Sequence, residues 1–170
     1  MRRLIAVLGL SLLLAACATT QRYGAADDVH ALLTAIRDDD AAMFEAYVDR
    51  PALQRELGSR IGRELVSRTE DDRLKLLGAI LGPAAGRLAG DVLIQASTFR
   101  RVAEFYGYRA SQPLPGRMAI ASVLRHQADG QVCAPVERGG PCVLIFREAD
   151  DRRWRLVGFE GDLGLLNRPR

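Results

Sequence analysis

Residues 111–116 read Ser-Gln-Pro-Leu-Pro-Gly, and this segment separates two parts of the chain with different hydrophobic patterns. Its prolines and glycine favour a connecting loop over a regular element. Before it, apolar residues recur every three or four positions, as in Val29, Leu32, Leu33 and Ile36. After it the pattern alternates, so that Trp154, Leu156 and Gly158 fall between Arg155, Val157 and Phe159. This change of period indicates helices before the segment and strands after it.

The two patterns together predict the fold class. The chain has 170 residues, an ordinary length for one domain and a short one for two. We predict a single α+β domain over residues 26–166, with its helical part at residues 26–107 and its sheet at residues 117–160. The N-terminal helices are expected to pack on one face of a C-terminal antiparallel sheet of about four strands.

Aspartates mark the predicted boundaries of the first helices. The aspartates at residues 27–28 can cap the first helix, because a carboxylate accepts hydrogen bonds from the free amides at a helix start. Three more at residues 38–40 predict a solvated turn, since they lack the alternating ligands of a calcium loop. A second helix is expected over residues 41–48. Asp49 and Pro51 are placed to begin the next one.

Glycine recurs at every fourth residue of the longest predicted helix, at Gly78, Gly82, Gly86 and Gly90. Each costs about 1 kcal/mol relative to alanine, so a compensating contact is expected. Small residues at this spacing let a second backbone approach closely, and we predict packing against another helix or the sheet. An apolar ligand groove or a seam between copies of the chain is the alternative. The uncharged residues 76–86 are too few to span a bilayer.

Four strands are predicted after the linker. The first is expected over residues 118–125, and Asp129-Gly130 is a typical hairpin turn that leads into a second strand, which residues 131–133 begin. Residues 142–146 form a continuous apolar stretch, and residues 154–159 show the alternation described above. The prediction is an antiparallel meander.

The N-terminus has the composition of an export signal. Two arginines and an apolar run over residues 4–14 are followed by small residues directly before Cys17. This arrangement resembles the lipobox of bacterial lipoproteins, in which the chain is cleaved before the cysteine and the cysteine is acylated. The resemblance implies a lipoprotein signal peptide at residues 1–16 and a lipidated tether at residues 17–25. An ordinary signal peptide with an incidental cysteine is the alternative.

The residue after the cysteine carries information on location. Ala18 stands where an aspartate commonly signals retention in the inner membrane, so the resemblance implies the periplasmic face of the outer membrane. The membrane is then a partner through the N-terminal lipid.

The two remaining cysteines, Cys133 and Cys142, are expected to form a disulfide. They lie beside strand-like runs and are separated by eight residues rich in proline and glycine, which suits a bridge across a hairpin. An oxidising compartment favours the bridge. Two free thiols and a metal site are the alternatives, although no third ligand is near.

Three segments resemble a known family. Residues 31–40, Phe44 and residues 48–53 (Val-Asp-Arg-Pro-Ala-Leu) look like the opening of the bacterial envelope proteins classed as domain of unknown function 2939. The resemblance continues through the glycine-rich helix near residues 74–94 and a closing strand pair with residues 154–156. It implies an envelope location and supports the fold, and the family offers no catalytic residues to carry over.

Charge and residue content argue against several function classes. Lys and Arg total 24 against 21 Asp and Glu, and removing the two arginines of the signal peptide leaves a net charge of +1. This charge is too small for a nucleic-acid-binding protein. His30 and His126 are candidate bases, and Glu160 with Asp162 is a candidate acid–base pair, but none belongs to a recognisable catalytic motif. We expect no catalytic, cofactor-binding or metal-binding residue and no cofactor.

Two function classes remain. The first is a non-catalytic binding or accessory module, anchored by lipid at the outer membrane, with an apolar ligand or an envelope protein as its partner. The second is a lipid-handling or hydrolytic envelope enzyme whose active site has no recognisable motif. A deep apolar pocket with converging polar groups would favour the second class.

Overall fold

The computed structural model describes residues 23–67, 72–105, 107–135 and 139–160. Within these ranges the helices are α1 over residues 23–38, α2 at Ala41–Ala46, α3 at Arg50–Ser67, α4 at Asp72–Leu93, α5 at Ala96–Phe105 and α6 at Arg117–Val123. The strands are β1 at Arg125–His126, β2 at Gln131–Pro135, β3 at Cys142–Glu148 and β4 at Trp154–Phe159. Helices therefore precede a four-stranded antiparallel sheet, and the predicted α+β class is confirmed.

Helix α1 begins earlier than predicted. Residues 23–25, which the sequence suggested were part of the tether, are helical, and the Ala25 side chain is fully buried. The aspartates at residues 27–28 therefore lie inside the helix and do not cap it. Asp28 instead accepts a hydrogen bond at its Oδ2 from the backbone N–H of Trp154 in β4, at 2.6 Å. The expected capping carboxylate thus joins the first helix to the last strand.

Later helix starts follow the sequence signals. Asp40 caps α2 by accepting a hydrogen bond from the backbone N–H of Met43 at 2.9 Å. Asp49 accepts one from Ala52 N–H at 2.9 Å, and Pro51 lies in the first turn of α3. These boundaries confirm that short acidic side chains satisfy amides that have no partner within the helix.

Helix α2 is shorter than predicted, because the chain after it pairs with the sheet. The backbone N–H of Leu156 donates to Tyr47 O, and Asp49 N–H donates to Leu156 O, each at 2.9 Å. Val48 thereby forms a parallel bridge with Leu156 at the edge of β4. The sequence predicted that residues 47–48 would be helical. They instead bond to β4 and satisfy backbone N–H and C=O groups at the edge of the sheet.

The predicted first strand is wrong over most of its length. Residues 117–123 form α6, and only Arg125 and His126 are left as β1. Ile120, Ala121 and Leu124 are buried, a spacing that puts them on one side of a helix. The sheet therefore begins at residue 125 and not at residue 117.

The rest of the meander agrees with the sequence. The sheet order is β1-β2-β3-β4, and every neighbouring pair is antiparallel. Asp129 and Gly130 have φ of 72° and 68°, as a tight turn between β1 and β2 requires. Two register shifts occur, between Ala134 and Pro135 in β2 and between Ile145 and Phe146 in β3.

The hydrophobic core lies between the helices and one face of the sheet. Val132, Phe146 and Leu156 face each other across three strands and are at most 1% exposed. The helices contribute buried side chains from α1, α2, α3, α5 and α6: Val29, Leu32, Phe44, Leu53, Ala96 and Ile120. The predicted packing of helices on one sheet face is confirmed.

Candidate functional site

Helices α3 and α4 form a hairpin whose two backbones touch through glycines. A Cβ atom placed on Gly86 would lie 2.5 Å from the Cα of Gly58, and one placed on Gly82 would lie 3.1 Å from the carbonyl oxygen of Gly58. Gly62 is the next neighbour of Gly82 on α3, with its Cα 3.5 Å from the same position. We call Gly58, Gly62, Gly82 and Gly86 the glycine seam. Side chains larger than hydrogen are excluded from its centre.

The seam confirms the predicted close packing against another helix at Gly82 and Gly86. Gly90 packs beside the Gln54 side chain, where an added Cβ would lie 2.5 Å from Cγ of Gln54. Gly78 lies in the part of α4, before residue 80, whose side-chain contacts are not among those described. Helix α4 continues through Pro83. Sequence reasoning overlooked Gly58 and Gly62, although they have the same four-residue spacing on α3.

An arginine fixes the open end of this hairpin. Arg50, at the start of α3, donates from Nη2 to the carbonyl oxygen of Ile94 at 2.7 Å, just beyond the end of α4. It also pairs with Glu45, and this charge-assisted hydrogen bond raises the pKa of Arg50 above its ordinary value. A cation at a helix C-terminus is favourable, because the last carbonyls have no partner within the helix.

A groove of about 700 Å³ runs along one side of the seam. Three arginines from the two helices line it, Arg55 and Arg63 from α3 and Arg87 from α4. The glycines Gly58, Gly62 and Gly82 lie beside them, and Ser59, Ser67 and Pro83 complete much of the wall. Guanidinium groups around an accessible backbone can bind a phosphate or carboxylate through paired hydrogen bonds.

These arginines have few competing acidic partners. Arg63 lies 3.9 Å from Glu56, but its side chain is 67% exposed. Glu56 is bound more closely by Arg60, at 2.8 Å. Within the described parts of the chain, neither Arg55 nor Arg87 forms a side-chain hydrogen bond or an ion pair. The groove therefore carries net positive charge.

The side of α4 that points away from α3 is apolar and exposed. Ile80, Leu81, Leu88 and Val92 are between 55% and 73% exposed, and Ala84 lies among them. We call these five residues the outer face of α4. Arg87 and Asp91 are the exposed charged residues of α4 within its described side chains, from residue 80 onward. None of the helices in the described ranges has the length and hydrophobicity of a transmembrane span.

The candidate catalytic residues do not come together in the described structure. His30 is half-buried in α1. His126 lies in β1 and is the register partner of Val132 in β2. A second cavity, of about 210 Å³, is lined by Glu56 and Glu160 but by neither histidine. Asp162 lies outside the described residues. No cluster of three metal-ligating side chains occurs in the described parts of the chain.

The cysteines behave as a pair. Cys133 and Cys142 are joined by a disulfide, with their Cα atoms 5.6 Å apart. Arg125 donates to the carbonyl oxygen of Gly140 at 2.6 Å and so holds the loop that the bridge closes. The predicted disulfide is confirmed. Cys17 and the predicted signal peptide at residues 1–16 lie outside the described residues.

Together these elements define an α+β domain that carries a helical hairpin with a glycine seam. A family model described as protein of unknown function (DUF2939) matches residues 10–102. The match covers more than half of the 170 residues, and the chain belongs to this family. It extends into α5, so the sheet and residues 154–156 lie beyond it. No curated protein and no solved structure matches the chain.

Proposed function

We propose that the protein is a lipid-anchored envelope protein at the periplasmic face of the outer membrane, and that its folded domain binds a partner without catalysing a reaction. The observation that carries the anchor is Cys17, which directly follows an apolar run and two small residues near the N-terminus. Its thiol can be acylated first, and cleavage before this residue would then leave a free α-amino group for a further acyl chain.

The disulfide supports an extracytoplasmic location. Disulfides persist in oxidising compartments and are rare in the cytosol, where thiols are kept reduced. The chain has three cysteines, and the bridge between Cys133 and Cys142 accounts for two of them. Cys17 is then the one cysteine available for lipid.

The groove supports a binding role. Its walls carry arginines and serines, and neither histidine lines either of the two cavities described above. Nucleophilic catalysis needs a nucleophile within hydrogen-bond reach of a base, whereas an arginine groove needs only an anionic partner. Ligand recognition is therefore the function that the groove supports best.

The first prediction concerns the anchor. Cys17→Ser should abolish incorporation of labelled palmitate and release the protein from the membrane fraction, because the acyl chains are its attachment to the bilayer. The measurement is palmitate labelling in cells, followed by separation of membrane and soluble fractions.

The matched control keeps Cys17 and removes the two disulfide-bonded cysteines. Cys133→Ser combined with Cys142→Ser should still be labelled, since neither residue follows a signal sequence. Palmitate entering the Cys17→Ser variant at the wild-type level would contradict the anchor.

A further inference from the structure

Within the described part of the chain the outer face of α4 is exposed, because the glycine seam turns the opposite side of this helix toward α3. Gly82 and Gly86 hold one side of α4 against α3, where an added Cβ would meet backbone atoms. Residues 80, 84, 88 and 92 are spaced four apart and so form one stripe on a helix with 3.6 residues per turn. Leu88, at 73% exposure, is one of the most exposed large apolar side chains in the described structure. The stripe therefore faces away from the molecule.

The groove lined by the three arginines lies next to this stripe. Arg87 belongs to the same helix as Leu88, and Arg55 and Arg63 lie across the seam on α3. The groove is positively charged, as described above. On α4 itself the stripe is bordered by Arg87 and by Asp91, whose carboxylate accepts a hydrogen bond from Gln54 Nε2 at 3.1 Å. The three groove arginines outnumber this one carboxylate, and an apolar stripe beside net positive charge is the surface that interfacial helices present to bilayers with anionic lipids.

We propose that the outer face of α4 and the three groove arginines together bind the surface of an anionic phospholipid bilayer. The apolar side chains of the outer face enter the boundary between headgroups and acyl chains, while Arg55, Arg63 and Arg87 bind lipid phosphates. A phosphate offers oxygens that match the paired donors of a guanidinium group. Charge complementarity favours this occupant over a second copy of the chain, which would carry the same arginines.

The length of chain before α1 supports the same occupant. This step rests on the proposed anchor at Cys17. Residue 23 is already helical, and six residue steps reach at most about 20 Å even when fully extended. A domain of this size has a radius of gyration of about 14 Å, so one of its faces must lie close to the bilayer. Exposed apolar patches mark protein or membrane interaction sites, and the groove arginines beside the outer face of α4 favour the membrane as its partner.

The test measures the environment of the outer face on vesicles. Acylated full-length Leu88→Cys, labelled with nitrobenzoxadiazole, is reconstituted into vesicles of phosphatidylethanolamine and phosphatidylglycerol. The expected result is a several-fold rise in emission with a blue shift. The matched control is a label at Met118→Cys, an exposed apolar position on α6 that should stay in water.

The arginine contribution is tested in the same vesicles. Arg55→Gln combined with Arg87→Gln should reduce the emission change at residue 88 at least twofold, and so should replacing phosphatidylglycerol with phosphatidylcholine. The double variant should keep the wild-type melting temperature, because neither arginine has a side-chain partner among the described residues.

The outcomes separate this proposal from the anchor. Vesicle-bound protein with the label at residue 88 still in water would overturn the α4 contact and leave the anchor intact. If protein isolated from the membrane fraction of cells carries no acyl chain and still shows raised emission at residue 88 on vesicles, the α4 contact is supported and the anchor is contradicted. An emission change that ignores lipid charge and falls on tenfold dilution in the bilayer would identify a second copy as the occupant and overturn the proposal.

Discussion

At the scale of single residues, Asp28 connects the two parts of the molecule. Its carboxylate accepts the backbone N–H of Trp154, which is 126 residues away in sequence. Burial raises the pKa of Asp28 above 3.8, with smaller upward effects from Asp27 and Asp151, while the Trp154 N–H and Arg153 oppose the shift. The neutral form is therefore favoured by folding. Its stabilising contribution is complete below pH 3.8 and is lost as the pH rises through the folded-state pKa.

The second prediction is that Asp28→Asn keeps the hydrogen bond and removes a partly buried charge. At about pH 7 the free energy of unfolding should equal or exceed that of the wild type, because the amide oxygen still accepts the Trp154 N–H. The advantage over the wild type should shrink as the pH falls toward 3.8. Urea unfolding at a series of pH values measures both effects.

Asp28→Ala is the matched comparison. It leaves the Trp154 N–H without its acceptor and should lower the free energy of unfolding by about 1–3 kcal/mol. If the asparagine variant loses as much stability as the alanine variant at about pH 7, the carboxylate charge itself stabilises the fold and its partial burial does not disfavour it.

At the scale of elements, the sequence predicted α4 better than α6. Glycine in a helix interior is costly, so four regularly spaced glycines were enough to indicate a close contact with another element. Residues 118–125 gave no such signal, because a short apolar run fits a strand or a buried helix equally well. The segment is helical because a helix buries Ile120, Ala121 and Leu124 on one side. That burial depends on partners distant in sequence, which a local pattern does not reveal.

The third prediction tests the glycine seam. Gly86→Leu should lower the free energy of unfolding by about 1–3 kcal/mol or more, because its Cβ would lie 2.5 Å from backbone atoms of Gln54 and Gly58. Thermal and urea unfolding measure the change. Ala84→Leu, on the outer face of the same helix, is the control and should change stability by less than about 0.5 kcal/mol.

An unchanged or raised melting temperature for Gly86→Leu would show that the two helices do not touch at this point in solution. A loss of stability equal to that of Ala84→Leu would show that the effect comes from leucine in the helix and not from the seam.

At the scale of the whole molecule, one change of hydrophobic period was enough to predict the α+β class. Local pattern does not encode pairing between distant segments, so the bridge from Val48 to Leu156 was not foreseen. The same reason explains why Gly58 and Gly62 were not assigned to the seam. The disulfide was predictable, because the composition between the cysteines already specified a hairpin.

The fourth prediction concerns the bridge between β2 and β3. Cys133→Ala combined with Cys142→Ala should lower the free energy of unfolding by about 2–3 kcal/mol, as expected for opening a loop of this size on the chain-entropy model. Urea unfolding measures the loss, and the Cys17→Ser variant, which keeps the bridge, should unfold like the wild type.

Intact mass after alkylation checks the bridge directly. Protein alkylated before reduction should carry no label at Cys133 or Cys142, and protein alkylated after reduction should carry two. Labelling of both residues in freshly isolated protein would mean that the bridge is not formed in the cell.

The bridge between Val48 and Leu156 and the hydrogen bond between Asp28 and Trp154 join early segments of the chain to its last strand. These contacts can therefore form only after β4 has been synthesised. The chain is synthesised from its N-terminus, so the helices exist as polypeptide long before β4 does. The parts of α1 and of the segment after α2 that bind β4 stay exposed to water until this last strand is available. Folding dominated by such distant pairings is slow, and the waiting chain is exposed to misassembly and proteolysis. A protein stopped a few residues before β4 should therefore be degraded as a whole and should not survive as a stable helical fragment.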